Sequence, residues 1–219
     1  FQPTAPSSWG AWILLAVYPV SLLIALAQTD ISNWKIPGRK LLLRLKEWST
    51  KQQNKQLLLY VNLFLGVALG IYTGILLSNL GARPMWNSAL LGPLFLVSAA
   101  STGAAFMLLF GLNEEERKTI TSFDTVFILL EGAVLSLILL SLTRTSEVTQ
   151  KAADLILSGQ YMIPFWVFVV CLGLVIPFAL NLWERFKGVH SKVFLPLLIL
   201  TGGFALRWVM VFAGQTSAW

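Results

Sequence analysis

Glu131 and Arg207 are two ionisable side chains inside long apolar runs of the sequence. A charge in the hydrocarbon region of a membrane costs at least ~2.5 kcal/mol on insertion scales for Arg, so each residue needs a polar partner, a cavity or a path to water. A carboxylate in such a place can carry protons, and a guanidinium can form the charged wall of a ligand site. The alternative for both is a structural pairing with a polar neighbour, or extension of Arg207 toward the water interface. Their depths, counted from opposite faces, argue against a direct salt bridge.

Tyr72 lies at about the depth of Arg207, and Asn79, Trp86 and Asn87 follow just above it. Hydrogen-bond donors, aromatic rings and apolar neighbours at one level suit a lipid-soluble molecule with a polar head. A quinone has this chemistry, because its carbonyl groups accept hydrogen bonds and its isoprenoid tail is apolar. The sequence therefore favours a quinone site formed by Tyr72, Arg207, Asn79, Trp86 and Asn87, with Glu131 on a proton path.

Small residues are frequent in the two apolar runs around this level. Such residues allow helices to approach closely, so helix packing is the favoured interpretation and ligand contact the second one. The set is Gly70, Gly74, Ser98, Ser101 and Gly103.

Six apolar runs must position these side chains, and each is near the ~20 residues that a membrane-spanning helix needs. They are apolar on all faces, which argues against a soluble bundle. Asp124 precedes the fourth run and is typical of a helix start. The sequence predicts an all-α polytopic transmembrane bundle that forms one integral membrane domain over residues 1–219. Its spans are expected at about 9–28, 58–80, 88–111, 125–143, 162–183 and 193–214.

The sixteen Lys and Arg residues are distributed unevenly among the connections: twelve on one side, three on the other, and Arg207 within a span. By the positive-inside rule the basic side is cytoplasmic, so both visible chain ends face the periplasm of a bacterial inner membrane. The basic loop at 29–57 is expected to contain a short helix, Arg39 to Trp48, that lies on the inner leaflet and contacts lipid.

The chain is 56% hydrophobic and 12% charged, and its net charge of +6 is explained by these loops rather than by nucleic-acid binding. His190 is the only histidine and Cys171 the only cysteine. Haem in membrane cytochromes needs axial ligands within the spans, and no metal-binding motif is present. We therefore expect neither haem nor metal in this chain. If it handles electrons, they pass between a quinone and a cofactor in another subunit.

Five segments resemble the polysulfide reductase membrane-subunit family, also called NrfD/PsrC-like, and the likeness extends in order over nearly the whole chain. Three of them lie in the second span, in the connection that follows it, and in the third span. The other two resemble the start of the family's third helix and its last helix. The segments are Leu69–Ser78, Arg83–Ser88, Pro93–Gly103, Pro6–Trp12 and Gly202–Gln215.

The resemblance implies a quinone-reactive membrane anchor without haem. It implies electron exchange with a ferredoxin-like four-cluster iron–sulfur subunit on the periplasmic side, which serves a molybdenum enzyme or a multihaem cytochrome. It also implies a menaquinone or ubiquinone pocket near the outer face, lined by the tyrosine matching Tyr72, and in-membrane roles for Glu131 and Arg207.

The usual family member has eight spans, whereas this chain shows six. Two helices would precede Phe1, or this member is shortened, in which case the quinone assignment weakens because part of the pocket is absent. Two other functions stay open. One is a structural anchor that does no chemistry, and the other is a small-solute or ion transporter, which predicts inverted repeats or broken helices in matching halves.

Overall fold

A computed structural model describes residues 6–30, 39–79, 83–187 and 193–217, and the regular structure in these ranges is helical. Six of the helical segments are long and apolar enough to cross a membrane, which confirms the predicted all-α, six-span bundle. The α-helices are α1 (Pro6–Gln28), α2 (Arg39–Thr50), α3 (Gln52–Ser78), α4 (Leu91–Leu108), α5 (Glu114–Thr145), α6 (Glu147–Leu157), α7 (Ile176–Lys187) and α8 (Phe194–Thr216). A 3₁₀ turn (Pro84–Trp86) precedes α4, and a π-helix (Pro164–Val175) continues directly into α7.

The first compact unit comprises Phe1–Tyr72. Within it, Ser21 of α1 donates a hydrogen bond to the Asn62 side chain of α3 at 3.1 Å. Lys46 of α2 donates to the Thr29 carbonyl oxygen at 2.7 Å, which ties α2 to the end of α1. The helix expected at Arg39 to Trp48 is present as α2, and its location on the inner leaflet stays a prediction.

The second compact unit comprises Thr73–Trp219. In it α4 packs against α5 and α8, and α8 packs against the π-helix. The shared core consists of large apolar side chains that are almost completely buried, including Leu91, Leu94, Ile138, Phe165, Leu206 and Met210. This unit holds Glu131 and Arg207.

Helix α5 begins at Glu114, ten residues before Asp124, so the interpretation of Asp124 as a helix start was wrong. The real start is marked by Asn113, whose backbone N–H donates to the Glu116 side chain at 3.0 Å. Acidic residues in the first turn also favour a start there, because they complement the positive end of the helix dipole. Asp124 therefore lies in the interior of the helix, where it is completely buried.

In the second unit, α8 and the π-helix approach each other so closely that their backbones are in contact at two glycines. A Cβ atom on Gly202 of α8 would overlap the backbone of Gly173 in the π-helix. Phe165, Val169 and Gly173, spaced four residues apart, form the buried face of that π-helix. In contrast, a Cβ atom on Gly103 of α4 would meet open space, so the packing role expected for Gly103 does not apply.

Gly202→Ala should destabilise the protein by about 1–3 kcal/mol, because the added methyl group has no room between two backbones. Thermal unfolding in detergent would measure the effect. Gly103→Ala is the matched control: it makes the same change in a helix with open space around it, and it should leave stability unchanged or raise it slightly. Equal effects of the two substitutions would contradict the close contact at Gly173.

Candidate functional site

One buried face of α5 carries three ionisable side chains at intervals of seven residues: Arg117, Asp124 and Glu131. Seven residues are about two helical turns, or ~10 Å along the axis, so the three lie in line on the same face. Arg117 donates a hydrogen bond to the carbonyl oxygen of Leu108 at the end of α4, at 3.1 Å. The remaining buried side chains of this face are apolar, and they are Ile128, Leu135, Ile138 and Leu142.

Glu131 and Arg207 meet through the hydroxyl group of Ser98, which is completely buried. Arg207 Nη1 donates to Ser98 Oγ at 3.2 Å and to the Gly203 carbonyl oxygen at 2.8 Å. Because a guanidinium group only donates, the Ser98 oxygen is the acceptor in the first bond. Ser98 also lies beside Glu131, and its side chain interacts with the Glu131 carboxylate.

The direct salt bridge judged unlikely from the sequence is absent among the described residues, although Glu131 and Arg207 are near enough to interact electrostatically. In the structure both contact Ser98, so one hydroxyl group connects an acidic and a basic side chain from two different helices. Both hydrogen bonds of Arg207 use Nη1. Among the described residues, the guanidinium donors on Nη2 and Nε therefore have no bond and are available to water or a ligand.

Asp124 forms a second polar contact about two turns along α5 from Glu131. Its Oδ1 accepts a hydrogen bond from Ser101 at 2.8 Å, and its Oδ2 accepts one from the Asn181 amide nitrogen at 2.9 Å. Ser101 and Asn181 are both buried, on α4 and α7. Ser98 and Ser101 thus form hydrogen bonds as well as allowing close packing. The sequence analysis missed Asp124 and Asn181 as site residues, although the spacing of seven between Asp124 and Glu131 was a signal.

The orientation of the Trp86 ring is set by contacts within the protein. Its indole N–H donates to the Met210 carbonyl oxygen at 2.9 Å, and the ring lies flush against Gly214 of α8. Asn79 and Asn87 are exposed, and the Asn79 amide donates to the Ile75 carbonyl oxygen of its own helix at 2.9 Å. The roles of these three residues in quinone binding stay a prediction, and Trp86 can offer a ligand only its ring.

Tyr72 lies at the end of the first unit and is half-buried. Its ring packs against Gly10 of α1, where a Cβ atom would overlap the ring. The absence of a side chain at Gly10 therefore sets the position of the Tyr72 ring. Its role as a quinone ligand also stays a prediction.

In the part of the protein that the structure describes, no group of three or more His, Cys, Asp and Glu residues is close enough to hold a metal ion. Cys171 is exposed on the π-helix. His190 lies outside the described residues.

Comparisons with known proteins agree on one family. The family model for polysulphide reductase, NrfD, matches residues 1–218. The C subunit of polysulfide reductase from Wolinella succinogenes is 32% identical in an alignment 167 positions long that covers 71% of this chain and 53% of that protein. The NrfD homolog of Haemophilus influenzae is 31% identical in an alignment of 163 positions that covers 70% of this chain and 51% of that protein. Protein NrfD of Escherichia coli is 31% identical in an alignment of 165 positions that covers 71% of this chain and 52% of that protein. The chain spans about half the length of these curated relatives.

Ser98→Ala should destabilise the second unit by about 1–3 kcal/mol, because it leaves Arg207 and Glu131 without the hydroxyl group that joins them. Chemical unfolding in detergent would measure the loss. Ser136→Ala is a suitable control, since Ser136 is exposed on α5 and bonds only to the Gly132 carbonyl oxygen of its own helix. A Ser98→Ala protein as stable as Ser136→Ala would show that the contact through Ser98 contributes nothing.

Proposed function

This chain belongs to the polysulphide reductase NrfD family, and from that premise we propose that it is a membrane subunit of a respiratory oxidoreductase complex that exchanges electrons with the quinone pool. The observation that supports this best is the group formed by buried Glu131 and Ser98 with half-buried Arg207 inside the spans. Burying charged groups in a membrane is costly, and such groups in spanning helices are typical of ion, proton or substrate pathways.

Each residue of the proposed site has a role that its chemistry allows. A quinol supplies two electrons and two protons when it is oxidised. Tyr72 donates a hydrogen bond to a quinone carbonyl group, and the donors on Nη2 and Nε of Arg207 steady negative charge on the quinone oxygen. Glu131 accepts or delivers protons, and the Ser98 hydroxyl holds its carboxylate beside the guanidinium group. The reverse reaction, quinone reduction, uses the same groups.

The proposed partners come from the family resemblance. They are an iron–sulfur subunit on the periplasmic side of the inner membrane, and beyond it a molybdenum enzyme or a multihaem cytochrome. The relative from Wolinella succinogenes is named as one polypeptide of polysulfide reductase, which supports assignment to a complex rather than to a protein that acts alone. A purely structural anchor would tolerate neutral replacement of both Glu131 and Arg207 without loss of turnover.

Extraction of the native complex in mild detergent should recover an iron–sulfur subunit together with bound quinone. The measurement is mass spectrometry of every co-purifying polypeptide, with assays of iron, haem and quinone. The third subunit would then identify the terminal substrate. A protein that purified alone, without iron and quinone, would refute the proposal and make transport the function to test.

Tyr72→Phe should slow quinol turnover by about tenfold, the effect expected from the loss of ~1.4 kcal/mol of hydrogen bonding. The complex should stay intact, because the ring that packs against Gly10 is kept. Tyr60→Phe is the control: it makes the same change in the same helix, at a side chain that is 72% exposed. Equal turnover in the two variants would remove Tyr72 from the proposed site.

A further inference from the structure

The side chain of Asn181 carries a hydrogen-bond acceptor that the described residues do not satisfy. Asn181 is only 2% exposed, and its amide nitrogen donates to Asp124 at 2.9 Å. Its oxygen Oδ1 is buried and has no hydrogen-bond partner. A buried carbonyl group without a donor is energetically costly, so such atoms are rare in folded proteins and indicate a bound water, an ion or a functional group.

The carboxylate beside Asn181 is that of Asp124, and it accepts its hydrogen bonds from uncharged donors. Asp124 accepts one bond from Ser101 and one from Asn181, and it has no bond to a cation among the described residues. On its own helix, Arg117 and Glu131 lie about 10 Å away in either direction, and Arg117 donates to the Leu108 carbonyl oxygen. On α7, Glu184 is buried one turn beyond Asn181. On α8, the nearest ionisable group is Arg207, and α4 carries none.

An amide group can serve both charge states of a neighbouring carboxyl group. When Asp124 is ionised, it accepts a bond from the Asn181 nitrogen, as the structure has it. When Asp124 carries a proton, its O–H group needs an acceptor, and half a turn of the amide brings Oδ1 into that place. In each state the opposite end of the amide faces away from Asp124. A water molecule there donates to Oδ1 in the first state and accepts from Nδ2 in the second.

We propose that Asp124, Asn181 and one buried water molecule form a proton-exchange site, separate from Glu131, that receives protons from the side of the membrane carrying the basic loops. This inference rests on the proposed function, because it supplies the proton path with a second carboxylate. The step moves one proton from a hydrated proton to the Asp124 carboxylate. It leaves a water molecule and a neutral carboxylic acid, and no electron is transferred.

The arrangement of α4, α5 and α7 gives the site a direction. Asn181 lies six residues, ~9 Å along the axis, before the end of α7 at Lys187, so the water phase nearer to the site is the one at the basic connection after α7. On the other side, Ser101 is one turn from Ser98 on α4, and Ser98 interacts with Glu131. Protons taken up at Asp124 therefore have polar side chains at each turn on the way to Glu131.

The test uses the native complex in lipid vesicles and pH-difference infrared spectroscopy in H₂O and D₂O. We expect a carboxylic-acid band that grows as the pH falls and is absent in Asp124→Asn. Asn181→Leu, which keeps the volume but removes the amide, should slow hydrogen–deuterium exchange of this band by about tenfold, as for a barrier raised by one hydrogen bond of ~1.4 kcal/mol. Asn62→Leu is the matched control, because it makes the same change at an amide of α3 whose oxygen accepts a hydrogen bond from Ser21, and it should leave the exchange rate unchanged.

Three results would overturn the proposal: no band that depends on Asp124, an unchanged exchange rate in Asn181→Leu, or equal slowing in Asn181→Leu and Asn62→Leu. If a variant does not fold, an experimental density map of the unmodified complex gives the answer. A water molecule about 2.7–3.2 Å from Asn181 Oδ1 supports the proposal, and a protein donor in that place refutes it. Quinol turnover measured on the same sample separates the two claims. Turnover without the Asp124 band refutes only this inference, whereas Asp124 exchange without turnover refutes the proposed function.

Discussion

A polar group inside the hydrocarbon region has to find its hydrogen bonds within the protein, and this constraint decides how α4, α5, α7 and α8 are arranged. The face of α5 with Arg117, Asp124 and Glu131 cannot be turned toward lipid, so three other helices must bring polar partners to it. Helix α4 supplies two serines and the Leu108 carbonyl group, α7 supplies an amide, and α8 places the Arg207 guanidinium group on Ser98, beside Glu131. Apolar packing alone would leave the rotation of α5 about its axis open, because lipid is as apolar as a leucine-rich helix surface.

Because the polar side chains on α4 are short, their hydrogen bonds also limit the distance between α4 and its neighbouring helices. A serine hydroxyl group reaches little beyond its own helix, so the bonds of Ser98 and Ser101 require α5 and α8 to lie close to α4. Gly203 of α8 meets this requirement, since a Cβ atom there would overlap the methyl group of Thr102. The glycine contact between α8 and the π-helix acts in the same way on a neighbouring face of α8, about 100° around the helix axis. In this unit, hydrogen bonds between short polar side chains and close packing at glycines therefore require the same short distances between helices.

The features predictable from the sequence were those carried by a single chemical property. Length and apolarity identified the six spans. Charge within an apolar run identified Glu131 and Arg207 as ionisable residues inside the spans. Asp124 was misinterpreted because an acidic residue before an apolar run is also typical of a helix start, and the acidic turn at Glu114–Glu116 that fixes the real start lies further back. Asn181 was missed because an uncharged amide in an apolar run gives a weak signal. The position of Ser98 between two charged groups depends on three helices, so no local pattern could have revealed it.

The hydrogen bond from Trp86 to Met210 has a mechanical consequence. Met210 follows Arg207 by one helical turn, about 4.5 Å along α8. The 3₁₀ turn at Pro84–Trp86 is buried and held against this segment by the indole bond and by the contact with Gly214. Arg83 adds a bond from the same connection to the Ser217 carbonyl oxygen. The connection and the C-terminal half of α8 are therefore joined by two hydrogen bonds and a ring contact, so the position of the 3₁₀ turn constrains the position of the helix segment that carries Arg207.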